Sequence, residues 1–478
     1  MKNIIFTTVC ALVSATAYFY SVDFHTVWWL TWLAPIPLLL VIKRTNLLTT
    51  IVVCFTVGMS TCLSTIVGYS STVIPFSSNI EPGIIAGMQF ALLFTLTRYG
   101  LQRNHHWHAI FIFPIVASLI EWALSFSTLG TYQTFAYNQL FFLPVVQIAS
   151  IGGYIAVTFT MSLFASTISY LLSHNDSTKQ NKLTAGIVGL SIVALVLLFG
   201  VSRLAHEQQH PSDTITVGLV YHGYPITTLM QAKKATSIAS KYASGIKKLA
   251  HQGAKIIMLP EESLTTNALN NKAVIDIFSR LSRDNHVQLI VGANQRLDHT
   301  YNSAWLFANT GELVGIYRKH HFVPGVELGM TAGKTLLSFH YDQYRFAIAI
   351  CRDLDYVHPS ADYGRQNVNV LFAPAWDFDV DAWVHGRMGV MRAVEYGFSL
   401  VRAARGGYLH AVSYTGRHVD SVFVANRDQQ SIVINVPISH HSSVYANHPW
   451  LFPMTLLFLL VLLSAHSILA SRGRVHRD

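Results

Sequence analysis

The chain has 478 residues, of which 51% are apolar and only 12% are charged, and its formal net charge at pH 7 is +9. This length allows two or more domains, and the shortage of charged residues excludes an ordinary soluble protein and points to a membrane protein. The lysines and arginines of the first half lie mostly between apolar segments, so the positive charge needs no nucleic acid to explain it.

Long apolar segments dominate the first two hundred residues. A membrane span needs roughly 20 apolar residues, and by that measure the sequence predicts about seven spans before a soluble segment and one after it. They are Ile4–Tyr20, Thr26–Ile42, Leu48–Tyr69, Gly83–Leu101, Ala109–Phe126, Val145–Leu172, Leu183–Ser202 and Trp450–Ala470. The first could be a cleaved signal peptide, but it lacks a clean cleavage site, which favours a retained helix. We expect a multi-span helical domain over residues 1–203 and a final span over residues 449–470.

The basic residues predict how these spans are oriented. Alternate loops carry Lys2, Lys43, Arg44, Arg98, Arg103, Lys179, Lys182, Arg472, Arg474 and Arg477. The intervening loops Ser21–His25, Ser70–Pro82 and Ser127–Pro144 contain no lysine or arginine. By the positive-inside rule both termini are cytoplasmic, and the soluble segment over residues 213–440 faces outward.

Within residues 213–440, short apolar runs alternate with helical stretches, from the strand-like Ile215–Val220 and the helical Gln231–His251 onward. This alternation predicts an α/β domain with buried strands. Residues Asn309–Glu312, between two strand-like runs, are typical of a hairpin turn.

Only one of the four cysteines, Cys351, falls in the soluble segment, because Cys10, Cys54 and Cys62 lie in apolar spans. A lone cysteine there has no partner for an intrachain disulfide. It is therefore either a buried structural thiol or a thiol kept free for its chemistry.

Three polar residues each directly follow a strand-like run, where α/β folds bind their ligands. Glu261 is either a general base or an ordinary charge at a helix start. Lys319 could stabilise an oxyanion, contact a lipid headgroup or be a surface cation. Cys351, beside Arg352 and Asp353, can be held as a thiolate nucleophile.

The order Glu, Lys, Cys resembles the nitrilase (carbon–nitrogen hydrolase) superfamily, whose catalytic set lies on an αββα sandwich. With the surrounding spans, the chain resembles the apolipoprotein N-acyltransferase family from end to end. The segments that carry the resemblance are Leu259–Glu261, Lys319–Pro324 and His385–Glu395, the last being the most specific. The fold class implied is a multi-span helical membrane domain plus a nitrilase-type αββα domain.

The resemblance implies that Glu261, Lys319 and Cys351 are catalytic. It assigns supporting positions to Glu327, Arg352 and Asp353, and substrate-binding positions to Trp376, His385, Glu121 and Tyr445. The chain departs from the family at Arg352, Asp353, Ala373, Pro374, Ala404, Arg405, Gly406, Leu124, Thr131 and Tyr132. Arg352 could pair with Asp353 or receive a phosphate. Glu121 lies inside an apolar stretch, where a charge is costly, so this residue is a functional candidate.

The activity implied is transfer of an acyl chain from a membrane phospholipid to the diacylglyceryl-cysteine of an apolipoprotein, through a cysteine thioester and with no cofactor. The many histidines lack ligand spacing, so no metal is expected. Three alternatives stay open: a membrane-tethered hydrolase of a small amide, an inactive lipid- or lipoprotein-binding paralogue, and a transporter. The many spans argue against the first, the retained triad against the second, and the few charges within the spans against the third.

Overall fold

The structure is a computed structural model that describes residues 2–22, 24–25, 27–69, 77–104, 106–173, 178–210, 212–425, 428–439 and 441–475, with backbone only for residues 77–79 and 467–475. The chain divides into two compact units. The helical unit comprises residues 1–206 and 448–478, and the α/β unit comprises residues 207–447. Arg477, residues 70–76 of the predicted loop Ser70–Pro82, and residue 440 at the predicted domain end lie outside the described residues.

The helical unit is built from apolar helices. They are α1 (Lys2–Ser21), α2 (Leu30–Leu33), α3 (Pro35–Ile42), α4 (Leu47–Gly68), α5 (Ser77–Arg103), α6 (Ile112–Leu124), α7 (Leu143–Val146), α8 (Ala149–Gly152), α9 (Tyr154–Leu172), α10 (Lys179–Gln209) and α17 (Leu451–Val475). Among the described residues, six helical segments are long and apolar enough to cross a bilayer, and shorter apolar helices cover Leu30–Ile42, Leu143–Gly152 and Leu451–His466. The prediction of several apolar membrane helices is confirmed.

Two predicted spans are wrong as single helices. The run Val145–Leu172 breaks at Gly153, whose φ of 71° ends α8 before α9 begins at Tyr154. A glycine adopts this left-handed conformation without a steric cost, and hydropathy gives no sign of the break. In the predicted run Thr26–Ile42, Thr26 lies outside the described residues, residues 27–29 are not helical, and α2 begins at Leu30. A separate helix, α3, starts at Pro35, which suits a first helical turn because it has no N–H to satisfy.

The α/β unit contains two sheets. The strands are β1 (Thr214–His222), β2 (Ile256–Met258), β3 (Thr265–Asn267), β4 (Gln288–Arg296), β5 (Thr300–Phe307), β6 (Leu313–Arg318), β7 (Leu337–Tyr341), β8 (Tyr344–Ile348), β9 (Val370–Trp376), β10 (Ser399–Arg405), β11 (Gly407–Val412), β12 (His418–Val424) and β13 (Gln429–Pro437). The first sheet has the order β13-β1-β2-β4-β5-β6, with β3 beside β4, and the second has the order β12-β11-β10-β9-β8-β7. The strands β1, β2 and β4 run parallel, as do β8, β9 and β10.

The helices of this unit are α11 (Ile226–Leu229), α12 (Ala235–His251), α13 (Asn271–Asn285), α14 (Ser360–Arg365), α15 (Ala382–Tyr396) and α16 (Val444–Asn447). Of these, α12 and α13 pack on the first sheet and α15 packs on the second. In α12 the buried residues Ile238, Tyr242, Ile246 and Leu249 recur every three or four positions, which gives one apolar face toward the first sheet. A second core of side chains from both sheets, including Ile256, fills the space between them.

These four layers are the predicted αββα sandwich, and that prediction is confirmed. The hairpin between β5 and β6 also forms, with Gly311 at a φ of 91°. The parallel strands of both sheets end at loops that carry the candidate site residues.

Candidate active site

Three strand ends position the predicted Glu, Lys and Cys side chains. Glu261 follows β2, Lys319 directly follows β6, and Cys351 begins a 3₁₀ turn, Cys351–Asp355, just after β8. The side chains of Glu261 and Lys319 are 3% and 1% exposed, so their charges are removed from water. The structure therefore brings the predicted base and cation together.

Lys319 is the centre of a buried cluster. Its Nζ donates to Oε1 of Glu261 across 2.8 Å and to Oε2 of Glu327 across 2.7 Å. Asn302 Nδ2 donates to both carboxylates, at 2.6 Å and 2.8 Å. Glu327 also accepts the backbone N–H of Val323 at 2.7 Å, which ties the following loop to the cluster.

This cluster holds two carboxylates against one ammonium group. Burial and the second negative charge, from Glu327, raise the pKa of Glu261 although Lys319 opposes the shift. Burial alone would lower the pKa of Lys319, but the two carboxylates raise it well above its usual value. Lys319 is therefore a fixed cation, and Glu261 is a stronger base than an exposed glutamate.

Cys351 adopts a φ of 45°, a left-handed conformation that is uncommon for a residue with a Cβ and frequent at active sites. Its thiol is partly exposed and donates to the backbone carbonyl oxygen of Trp376 across 3.7 Å. Burial and the negative charge of Glu261 raise the pKa of Cys351 well above its usual value, although Lys319 opposes the shift. These surroundings favour the protonated thiol over the thiolate that the sequence allowed.

Asp353 joins the segment carrying Lys319 to the turn carrying Cys351. Its Oδ1 accepts the backbone N–H groups of His320 at 3.0 Å and His321 at 2.9 Å, together with the ring of His321 at 3.2 Å. Its Oδ2 accepts the hydroxyl of Tyr317 at 2.7 Å and the backbone N–H of Ile350 at 3.1 Å. Burial alone would raise the pKa of Asp353, but these hydrogen bonds lower it, so the carboxylate stays ionised.

Arg352 does not pair with Asp353, one of the two possibilities the sequence left open. Its guanidinium donates to the backbone carbonyl of Phe322, and its Nε lies 3.5 Å from Oδ2 of Asp355. The side chain therefore braces the loop after Lys319 and turns away from its neighbour in the chain.

Two segments of the chain match known protein families. Residues 14–167 match the family model described as apolipoprotein N-acyltransferase N-terminal domain, and residues 223–430 match the one described as carbon-nitrogen hydrolase. The apolipoprotein N-acyltransferase of Shewanella oneidensis is 22% identical over 409 residues, which cover 76% of each chain. That of Bradyrhizobium diazoefficiens is 25% identical over 440 residues, covering 80% of this chain and 77% of the relative. Along both of its units the chain is similar to the apolipoprotein N-acyltransferases.

An amidase from Nesterenkonia sp. is a solved structure with 16% sequence identity, a TM-score of 0.42, and coverage of 48% of this chain and 92% of that chain. The acyltransferase relatives and the apolar helices together indicate an acyltransferase of the inner membrane.

Three of the predicted substrate-binding residues lie in the α/β unit. Trp376 ends β9 beside Cys351. His385, on α15, lies 3.1 Å from Oδ2 of Asp381, whose negative charge raises the pKa of His385 to about 9 although burial opposes the shift. Tyr445 packs against Tyr396 with ring centroids 5.5 Å apart.

Glu121 belongs to the helical unit. Its carboxylate accepts the hydroxyls of Thr134 and Thr158, both at 2.6 Å, and the backbone N–H of Phe135 at 3.0 Å. These three bonds satisfy the buried carboxylate within its own unit.

Several polar residues of the α/β unit were not found from the sequence. Asn302 lies inside β5, and its bridging role depends on strand pairing that the sequence does not reveal. Glu262, at a φ of 46°, is bonded by Asn294 at 3.0 Å, and burial with the charge of Glu261 raises its pKa to about 7. Strand β10 carries two buried arginines: Arg402, which the sequence did not single out, and Arg405, which it marked only as a departure from the family.

Arg402 is the first of these two arginines. It forms a two-pronged ion pair with Asp377, with bonds of 2.7 Å and 2.6 Å, and both residues are buried. Within the described part of the chain, no group of three or more His, Cys, Asp or Glu side chains could hold a metal ion. The charged groups that act on Cys351 are the carboxylates of Glu261 and Asp377, the ammonium of Lys319 and the guanidinium of Arg402, which suit proton transfer and stabilisation of an anion.

Proposed function

We propose that this protein transfers a fatty acyl chain from a membrane phospholipid to the N-terminal diacylglyceryl-cysteine of an apolipoprotein, through a thioester on Cys351. The observation that carries the proposal is the buried cluster of Glu261, Lys319 and Glu327 in the same unit as a partly exposed thiol, in a chain with several apolar helices.

In the first half-reaction Glu261 accepts the thiol proton while Sγ of Cys351 attacks the ester carbonyl carbon. Two of the three N–H donors of Lys319 bind carboxylates, so the third is available to the oxyanion, together with the backbone N–H of Arg352. When the intermediate collapses, the ester C–O bond breaks and Glu261 returns the proton to the departing lysophospholipid oxygen. The acyl group remains on Cys351 as a thioester.

In the second half-reaction Glu261 accepts a proton from the α-amine of the acceptor, and the nitrogen attacks the thioester carbonyl. The C–S bond breaks, the proton returns to the sulfur of Cys351, and an amide is formed. Because the two substrates use one site in turn, the kinetics should be ping-pong.

The domain assignment is part of the proposal. Residues 1–203 and 449–470 form the membrane domain, residues 213–440 form the periplasmic catalytic domain, and both termini are cytoplasmic. The alternation of basic and uncharged loops supports this orientation. Confining two lipid-anchored substrates and the enzyme to one membrane raises their effective concentration without tight binding.

Intact-mass spectrometry of the full-length protein in phospholipid micelles tests the chemistry. Wild type should gain a hydroxylamine-sensitive fatty-acyl mass, and Cys351→Ala should not. Cys54→Ala, which removes a buried thiol of the helical unit, is the matched control and should acylate like wild type.

A chase with a synthetic diacylglyceryl-cysteinyl peptide should remove the adduct and add the same acyl mass to the peptide amine. Release of free fatty acid without modified peptide would favour a hydrolase. Folded wild-type protein that gains no adduct from a competent donor would favour an inactive paralogue.

A further inference from the structure

Arg405 is a buried cation at the same strand ends as the candidate nucleophile. It is the last residue of β10, and its register partner is Trp376, the last residue of β9. Side chains alternate along a strand, and Val401 and Ala403 lie in the core between the two sheets. Arg405 therefore projects toward the space between the sheets at the end where Cys351 lies.

Arg405 is only 4% exposed and forms no ion pair with a carboxylate in the described part of the chain. Its Nε has no hydrogen-bond acceptor, and burial lowers its pKa although Tyr221 and the charge of Glu262 oppose the shift. The buried Arg402 and Arg392, in contrast, are paired with Asp377 and Glu395. An unpaired buried charge is costly, which points to an anion that is brought in by a ligand.

The guanidinium of Arg405 lies over an aromatic ring. Its carbon is 4.4 Å from the centroid of the Trp376 ring, and Tyr221 shares a hydrogen bond with it. Contact with the ring does not consume the N–H donors of the guanidinium, and Nε has no acceptor. This arrangement matches the fork geometry with which arginine binds a phosphate group.

Trp376 connects this cation to the nucleophile. Its ring supports Arg405, and its carbonyl oxygen accepts the thiol of Cys351. A substrate whose ester reaches Cys351 therefore brings neighbouring groups close to Arg405. The charge of Glu262 favours ionised Arg405, but Glu262 is bonded to Asn294, forms no ion pair with Arg405, and has a pKa raised to about 7 mainly by burial.

We propose that Arg405 is a specificity-determining residue that binds the phosphodiester of the acyl donor while the ester of the same lipid reacts with Cys351. This inference rests on the proposed function. Of the two substrates, the phospholipid carries an anion on the glycerol that bears the reacting ester, whereas the acceptor presents an amine. Arg405 would thus favour phosphate-bearing donors over neutral esters.

The test compares two donors with the same acyl chains in one detergent: a phosphatidylethanolamine and the corresponding phosphate-free diacylglycerol. Thioester formation on the full-length protein is followed by intact mass. Arg405→Gln should slow acylation by the phospholipid about ten- to hundredfold, the range for hydrogen bonds to a charged group. Acylation by diacylglycerol should be nearly unchanged, which also shows that the variant is folded.

Arg405→Lys keeps the charge without the planar fork and should give an intermediate rate with the phospholipid. Arg283→Gln removes one exposed positive charge of the same unit and is the control, expected to behave like wild type.

Equal slowing of Arg405→Gln with both donors, or no slowing with either, would overturn the inference and leave the proposed function intact. A free phosphate ion as the ligand would give wild type equal rates with both donors and a response to added inorganic phosphate, which would also overturn it. Folded wild type that forms no thioester with either donor would refute the proposed function and this inference together.

Discussion

Replacing Asp353 by asparagine should disable the site while leaving the shape of the side chain almost unchanged. The Asp353 carboxylate is fully buried and bonds both to the segment that follows Lys319 and to the residue that precedes Cys351. Relative placement of the oxyanion donor and the nucleophile therefore depends on one ionised group.

The magnitude follows from the donors around that group. Both oxygens of Asp353 accept at least one backbone N–H, so the amide nitrogen of asparagine must face an N–H in either orientation. The least costly orientation turns the amide toward Tyr317, whose hydroxyl can rotate to accept, but leaves the N–H of Ile350 without a partner. In Asp353→Asn, one unsatisfied buried N–H and the weakened hydrogen bonds should together make the wild-type arrangement less favourable by about 3 kcal/mol.

That loss should be relieved by movement of the Lys319 segment away from Cys351. A displacement of about 1 Å can lower the rate of a positioned reaction about a hundredfold. We therefore expect Asp353→Asn to reduce the single-turnover rate of thioester formation about a hundredfold while the thiol still reacts with iodoacetamide. Asp284→Asn, at an exposed aspartate of the same unit, is the control. A folded Asp353→Asn protein that acylates within about threefold of wild type would refute the positioning argument.

Three further perturbations test the structure. Because the pKa of Glu262 is raised to about 7, the folded protein holds a proton that the unfolded chain releases between about pH 4.5 and pH 7. The free energy of unfolding should therefore fall by up to about 3 kcal/mol as the pH rises through this range. In Glu262→Gln the melting temperature in detergent should lose this dependence on pH. Asp377→Asn leaves Arg402 buried without its partner and should cost about 3–5 kcal/mol, whereas adding Arg402→Met should restore much of the melting temperature. Glu121→Gln should melt close to wild type because the two threonine hydroxyls can turn to accept the amide, but Glu121→Leu leaves three donors unpaired and should melt much lower; equal melting of the two would contradict the hydrogen-bonding assignment.

The layers of the fold and the strand-end positions of Glu261, Lys319 and Cys351 could be predicted because each depends on local pattern. A run of apolar residues predicts a buried strand or a membrane helix, and the residue that follows a strand lies at its end whatever the strand pairs with. The strand order, and with it the bridging role of Asn302, depends on pairing between distant segments that no local pattern encodes. The break at Gly153 was missed for a related reason, since one glycine hardly changes the hydropathy of a long apolar run.

The ionisation of Cys351 shows why sequence neighbours are a poor guide to electrostatics. Arg352 and Asp353 are close to the cysteine in the chain, but their side chains bond elsewhere. The Arg352 guanidinium donates to the carbonyl of Phe322, and the Asp353 carboxylate accepts from the segment after Lys319. Burial and the charge of Glu261, ninety residues earlier, act on the thiol instead. A thiol that rests protonated must lose its proton as it attacks. The site therefore needs a general base, and the raised pKa of Glu261 makes that carboxylate a better proton acceptor.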